Sequence, residues 1–270
     1  MSGFDKSMML PDVQASADLR HIAIDQVGVK SVRYPVTIMC ADQQAQPSVA
    51  LFDFYVSLSA DVKGTHMSRF MEMLFQHKEP LSIPVMQAMM VDMLKRLEAL
   101  GGVIRVKAPF FMKKKAPVSG VESMMDYEVS WEAIKRADQP EIQVRQTVLV
   151  PVQSLCPCSK EISEYGAHNQ RSHATIGVVL KLGCSMTLEE QIRVAEQNAS
   201  CELWSLLKRP DEKYVTEKAY ENPKFVEDLI RSMAQTLNAD ERIASYRIEA
   251  ENFESIHNHS AYAYIEGGKN

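Results

Sequence analysis

No stretch of this 270-residue sequence approaches the roughly 18 consecutive apolar residues that a membrane-crossing helix needs. Residues Met1 to Val13 also lack the basic-then-apolar order of a secretory signal, so a cytoplasmic location is expected. Cysteine is scarce. The five present, Cys40, Cys156, Cys158, Cys184 and Cys201, are odd in number and unevenly spaced, which argues against a disulfide framework in a chain of this size. A cysteine with a special task is then a metal ligand or a nucleophile. Positive charge is not in excess either: 30 Lys and Arg against 35 Asp and Glu leave a formal charge of -5, the wrong sign for a protein held to nucleic-acid phosphates or anionic lipid. The basic run Lys113, Lys114, Lys115 would neutralise few phosphates and reads as a solvated turn. With 46% hydrophobic and 24% charged residues the chain is neither low-complexity nor disordered, and its length suits one large or two small domains.

What is present is a repeated pattern. Val32, Tyr34, Val36 and Ile38 alternate as in a half-buried strand, and a second apolar run extends from Val49 through Leu58. Two helices are expected next, Ser68 to Phe75 and Pro84 to Leu100. In the second, Met86, Met89, Met90, Met93, Leu94 and Leu97 fall at helical spacing, and Gly101-Gly102 supplies a stop. The methionines read as core packing. Period two returns at Val103 to Met112 and at Met125 to Trp131, across a turn containing Pro117 and Gly120. The second half gives strands at Ile142 to Val152 and His173 to Leu182. A helix follows from a Thr187/Glu190 capping box to about Lys208, and another is opened by Asn222-Pro223 and runs to about Asn238. Strands at Tyr246 to Ala250 and Ala261 to Ile265 close the chain.

Each half therefore reads strand, strand, helix, helix, strand, strand. The expected class is α+β: tandem ββααββ modules (27–138 and 139–270, after an extension 1–26), each a four-stranded antiparallel sheet with a helix pair on one face. Open edges and bare faces favour association, so the halves are expected to join edge to edge and several subunits to close a barrel with sites at the seams. Two independent α+β domains are the alternative.

The densest polar stretch, Cys156-Pro157-Cys158-Ser159-Lys160-Glu161-Ile162-Ser163-Glu164-Tyr165-Gly166-Ala167-His168-Asn169-Gln170-Arg171-Ser172-His173, lies between two expected strands, where a loop can present side chains. Cys156 and Cys158 point the same way if the segment is extended, and His168 is far enough along to fold back onto either sulfur. Thiolate and imidazole suit zinc or another divalent transition metal, and inert buried thiols are the other reading. Glu212, after Arg209-Pro210-Asp211 at a helix end, and His257 and His259, in a polar loop between strands, are further candidates. Three protein ligands with one open position would make a catalytic site.

Together with Lys63-Gly64-Thr65-His66-Met67-Ser68-Arg69-Phe70, Arg209-Pro210-Asp211-Glu212-Lys213-Tyr214-Val215-Thr216-Glu217 and Glu254-Ser255-Ile256-His257, that stretch resembles prokaryotic GTP cyclohydrolase IB, with likeness from Asp12 to Glu266. Asn258 departs from the proline expected there and bears on loop stiffness alone. The resemblance implies a tunnelling fold assembled as a homotetramer, and conversion of GTP and water to 7,8-dihydroneopterin triphosphate and formate, the entry to folate-type pterins. It implies a divalent metal (Zn, Mn or Fe) at Cys156, His168 and Glu212, with Cys156 also catalytic, His257 as general acid/base and Cys158 assisting. One glutamate would accept the N1–H and 2-amino group of guanine in a fork, and Glu227 and Glu254 are both candidates. Lys63, His66, Ser68 and Arg69, with Lys160 and Arg171 second, are expected at the triphosphate, in a site drawing on both modules or on two subunits. The rivals are an NADPH-dependent nitrile reductase of queuosine biosynthesis on the same fold and a non-catalytic metal-binding protein.

Overall fold

Long period-two runs make long strands here. The structure, a computed structural model, describes Gln14 and residues 16–268, so the expectation for Met1 to Val13 lies outside the described residues. In chain order the elements are β1 (Ile24–Met39), β2 (Ala45–Leu58), α1 (Met67–Gln76), α2 (Ile83–Leu97), β3 (Gly102–Lys115), β4 (Glu122–Lys135), β5 (Ile142–Leu155), α3 (Pro157–Ile162), β6 (Asn169–Leu180), α4 (Leu188–Asn198), β7 (Cys201–Glu202), α5 (Arg209–Glu221), α6 (Val226–Ala239), β8 (Ile243–Asn252) and β9 (Ala261–Gly268).

The strands form one antiparallel sheet in the order β1-β2-β3-β4-β5-β6-β8-β9, with β7 pairing β5 off that path. The halves join edge to edge as expected, through the β4–β5 ladder from Glu128↔Leu149 to Lys135↔Ile142. Alternate residues of each strand, such as Phe52, Phe54, Ile104, Val106, Val129, Trp131, Val148, Val150, Ile176 and Ile248, are buried in a single core shared by both halves. Helices α1, α2, α4 and α6 pack on that face, each adding an apolar stripe, and Met86, Met89, Met90 and Met93 of α2 are buried as the pattern indicated. Burying each such side chain contributes about 1.5–3 kcal/mol. The intervening residues leave a charged second face, on which Arg105 pairs with Glu132 and Lys107 with Glu128. Among the described residues no helix is long and apolar enough to cross a membrane.

Several boundaries differ from the sequence reading. Helix α2 stops at Leu97, and the left-handed residue that ends it is Glu98 (φ 53°), not a glycine. Gly102 is needed for another reason: a Cβ there would lie 2.7 Å from the Tyr55 carbonyl oxygen of β2 and 2.8 Å from the Met93 methyl. The Thr187/Glu190 capping box is present, but its helix ends at Asn198 rather than Lys208. Arg209-Pro210 then begins a helix, α5, instead of closing one. Asn222 ends α5 rather than opening α6, because its side-chain amide is spent on the carbonyls of Ala199 and Ser200; Phe225 takes the N-cap place. The second half thus carries α3, β7 and α5 beyond the simple repeat.

The basic run is no turn. It closes β3, and strand alternation turns Lys114 inward while Lys113 and Lys115 face out toward Glu122. Lys114, only 6% exposed, lies 2.6 Å from Glu196 and 2.7 Å from Glu202, donates to the Leu203 carbonyl and stacks over Trp204. Tyr127 donates to the same Glu196 oxygen, so this buried charge is fully engaged and ties the first half to α4 and β7.

Candidate functional site

The site is built where β5 ends and β6 begins. Their ladder closes at Leu155↔Asn169, and the chain between makes the short helix α3, with Cys156 as N-cap residue and Pro157 in the first turn. Cys156 Sγ accepts the Ser159 N–H at 3.5 Å, and its own N–H donates to the His168 carbonyl at 3.1 Å. The Ser159 hydroxyl donates to the Cys156 carbonyl and accepts the His168 N–H. Cys156 and His168 are therefore held as neighbours by their backbones. Because the segment coils into α3, Cys158 does not share an extended face with Cys156; it is exposed in the helix's first turn.

His168 is oriented from two sides. Its Nδ1 lies 3.2 Å from Gln170 Oε1 and 3.2 Å from Ser255 Oγ. With the Nδ1 proton donated to the glutamine oxygen, Nε2 keeps its lone pair for a metal or a transferable proton. Beneath lies a buried polar floor, where Ser154 Oγ accepts from both Gln170 and Asn252 and locks β5, β6 and β8 at this end. Gln170 and Ser255 fall inside the quoted motifs, yet their role is visible only once the strands are paired.

The loop joining β8 to β9 completes this end. It brings Glu254, half-buried, beside Ser255, and stacks the exposed His257 and His259 rings at 5.3 Å. Glu227 is exposed in the first turn of α6, whose approach is fixed by the Lys224 N–H donating to the Leu155 carbonyl, next to Cys156. Arg171 is exposed on β6, and its carbonyl accepts the Phe253 N–H. Lys160 donates to the Tyr220 carbonyl and lies over that tyrosine's ring, joining α3 to α5.

Glu212 lies in the first turn of α5. The residue before it, Asp211, turns inward and accepts from Val118 N, Ser119 N, Ser119 Oγ and Lys208 N, while Glu212 stays exposed in the first turn of α5. Burial alone would push the Asp211 carboxyl up, but these donors, Ser119 foremost, hold it well below the usual carboxylate range. Among the described residues no three His, Cys, Asp or Glu side chains gather as a metal-holding group. Cys156 and His168 nonetheless fit two places of a borderline-soft divalent ion, a thiol and a steered imidazole.

The first-half candidates lie at the other end of the sheet. Lys63 is exposed ahead of α1, His66 is the N-cap residue of α1, and Ser68 and Arg69 sit in its first turn. His66 and Arg69 line a cavity of about 740 Å³ with Ser57, Ser59, Thr65 and Glu98. Arg69 donates to the Arg96 carbonyl at 2.7 Å and stands 3.8 Å from the Glu98 carboxylate. The registers place Leu58, Gly102, Lys135 and Ile142 at this end, and Leu155 and Asn169 at the opposite one. At about 3.3 Å per residue the 14 residues of β5 separate the two ends by roughly 40 Å.

Comparison with known proteins gives a match from residues 10 to 263 to the family described as type I GTP cyclohydrolase folE2. The chain is 55% identical over 269 residues to GTP cyclohydrolase FolE2 of Burkholderia ambifaria (strain MC40-6), covering 100% of this chain and 98% of that one. The GTP cyclohydrolase FolE2 of Paraburkholderia phymatum is also 55% identical, with 99% of its length covered. Among solved structures, uricase from Arthrobacter globiformis superposes with a TM-score of 0.54 at 8% identity over 91% of this chain and 93% of that one, a likeness of the tunnelling fold alone.

Proposed function

The chain belongs to the type I GTP cyclohydrolase FolE2 family, and from that premise we propose how its residues divide the reaction. GTP cyclohydrolase activity follows from the family, which sets aside the nitrile reductase and the non-catalytic binder. Water attacks C8 of guanine, N7 takes a proton, the five-membered ring opens with loss of formate, and the ribose rearranges before the pyrazine ring of dihydroneopterin triphosphate closes. Cys156 and His168 would hold a divalent metal (Zn, Mn or Fe), whose Lewis acidity activates the attacking water. Ser255 and Gln170 fix which nitrogen of His168 faces the reacting atoms. His257, on the loop beside Ser255, moves the proton to N7, and Cys158 assists from the first turn of α3. Glu227 or Glu254 accepts the guanine N1–H and 2-amino group, both glutamates lying at the Cys156 end.

The observation that carries the assembly is the separation of the two residue sets. A span of roughly 40 Å exceeds any nucleotide, so Lys63, His66, Ser68 and Arg69 can serve the triphosphate of a GTP held near Cys156 only if another subunit brings them there. The open edges β1 and β9 suit such closure, and a homotetramer with sites at its seams satisfies both. The deciding assay incubates the protein with GTP and each of Zn²⁺, Mn²⁺ and Fe²⁺, then measures formate and, after oxidation, pterin fluorescence. Formate and pterin in equal amounts are expected with at least one ion. Neither product with any of them would overturn the reading.

A further inference from the structure

Ser154 stands on β5 directly opposite Gln170 of β6 and is only 2% exposed. Its hydroxyl oxygen accepts Gln170 Nε2 at 3.1 Å and Asn252 Nδ2 at 3.2 Å. A hydroxyl oxygen has two lone pairs, so both are taken. Asn252, also buried, belongs to β8, the strand beyond β6, so the backbones that meet at this oxygen lie two strand spacings apart, roughly 10 Å. Neither amide can withdraw without leaving a buried N–H unanswered.

The direction of the Gln170 amide matters to the ring above it. With Nε2 turned to Ser154, Oε1 is the atom 3.2 Å from His168 Nδ1, and an amide oxygen there only accepts. The imidazole proton then sits on Nδ1, and Nε2 is bare. Turned over, the same amide would set an N–H against Nδ1 and occupy its lone pair. The proton would move to Nε2, the nitrogen that a metal needs free.

We propose that Ser154, braced by Asn252, is a positioning residue that sets the tautomer of His168 through Gln170. The inference rests on His168 as a metal ligand and adds that the state of its ring is decided one residue further off, on strands β5 and β8. Without the Ser154 hydroxyl the Gln170 amide loses the acceptor that orients it, and both tautomers become populated.

Metal-free protein labelled with ¹⁵N-histidine tests this by long-range ¹H–¹⁵N correlation at a pH where histidine is neutral, the His168 signals being identified by their loss in His168→Asn. Wild type should carry its proton on Nδ1. Ser154→Ala should populate the Nε2–H form and weaken Zn²⁺ binding by about tenfold. Gln170→Glu separates positioning from packing, since a carboxylate has no N–H to turn toward the ring. In that background Ser154→Ala should leave the tautomer as it is and change Zn²⁺ affinity by less than about twofold. Should Ser154→Ala fail to fold, Ser154→Cys, close in volume and a weak acceptor, carries the same expectation. A Ser154→Ala protein with the wild-type tautomer would overturn the proposal, as would a tenfold loss of affinity that persists beside Gln170→Glu. A wild type that shows the Nδ1 proton yet takes up none of Zn²⁺, Mn²⁺ or Fe²⁺ would refute the metal reading alone.

Discussion

Ser255 Oγ lies 3.2 Å from His168 Nδ1, so the loop after β8 steadies an imidazole presented just ahead of β6, 87 residues earlier in the chain. Gln170 shares the task, so Ser255→Ala should leave the protein folded and lower metal affinity and kcat by about tenfold, the low end for an outer-shell partner. Rescue by Ser255→Thr, read as metal affinity, separates positioning from a loss of loop structure. An unchanged affinity in the alanine variant would remove the role.

Cys156→Ala should abolish formate release while the far-UV spectrum and thermal midpoint stay near wild type, because the residue is half-buried at a loop and packs into no core cluster. Loss through Cys158→Ala should be partial, since that side chain is exposed and is assigned only assistance. An active, metal-loaded Cys156→Ala protein would refute the assignment.

Sites that draw on two subunits predict complementation. Arg69→Ala and Cys156→Ala proteins, each inactive alone, should regain a measurable fraction of turnover when unfolded together and refolded as mixed oligomers. If the mixture stays as inactive as its parents under conditions where wild type refolds, the first-half residues do not act across a seam.

Two glutamates compete for guanine, and steady-state kinetics divides them. The anchoring carboxylate, changed to alanine, should raise KM for GTP and lower kcat/KM by a factor of about ten to a hundred, the range of a charge-assisted forked pair. Its rival should act on kcat alone, if at all. Glu254, next to Ser255, is placed to disturb His168 as well, so its variant is also checked for metal affinity.

Acid should find Asp211. Its folded carboxyl is held below the ordinary value of 3.8, so its contribution is fully present above about pH 4 and drains away as pH falls through the lower folded value, where the unfolded chain binds the extra proton. Asp211→Asn should therefore be less stable than wild type at pH 7 and show a shallower loss of stability on acidification, measured by urea unfolding at stepped pH. Parallel acid limbs would contradict it.

Much of this was legible in the sequence, and the misses share a cause. Period-two runs such as Val103 to Met112 fixed strand positions because one sheet face is buried throughout, and a methionine stripe marked α2 for the same reason. Asn222-Pro223 looked like a helix start since capping chemistry is local, whereas the carbonyls of Ala199 and Ser200 that claim Asn222 are more than 20 residues away. Lys114 looked solvated because composition hides alternation: its neighbours face water and it does not. At the site, Cys156 and His168 could be read as partners from spacing, but Gln170 and Ser255 needed the β5–β6–β8 ladder to bring them to the ring. Asp211, next to Glu212, accepts from four donors in the β3–β4 turn and the α5 start, a partnership that crosses too much chain to be read from local pattern.

Lys114 under Trp204 also limits how this chain can be divided. Cleaving it between Lys135 and Ile142 would strip β4 and β5 of each other's backbone partners, and would part a desolvated ammonium from the carboxylates of Glu196 and Glu202 on the far piece. Neither fragment has a replacement for what it loses, so the repeat seen in the order of elements is not a joint along which the molecule comes apart, and its two halves melt or persist together.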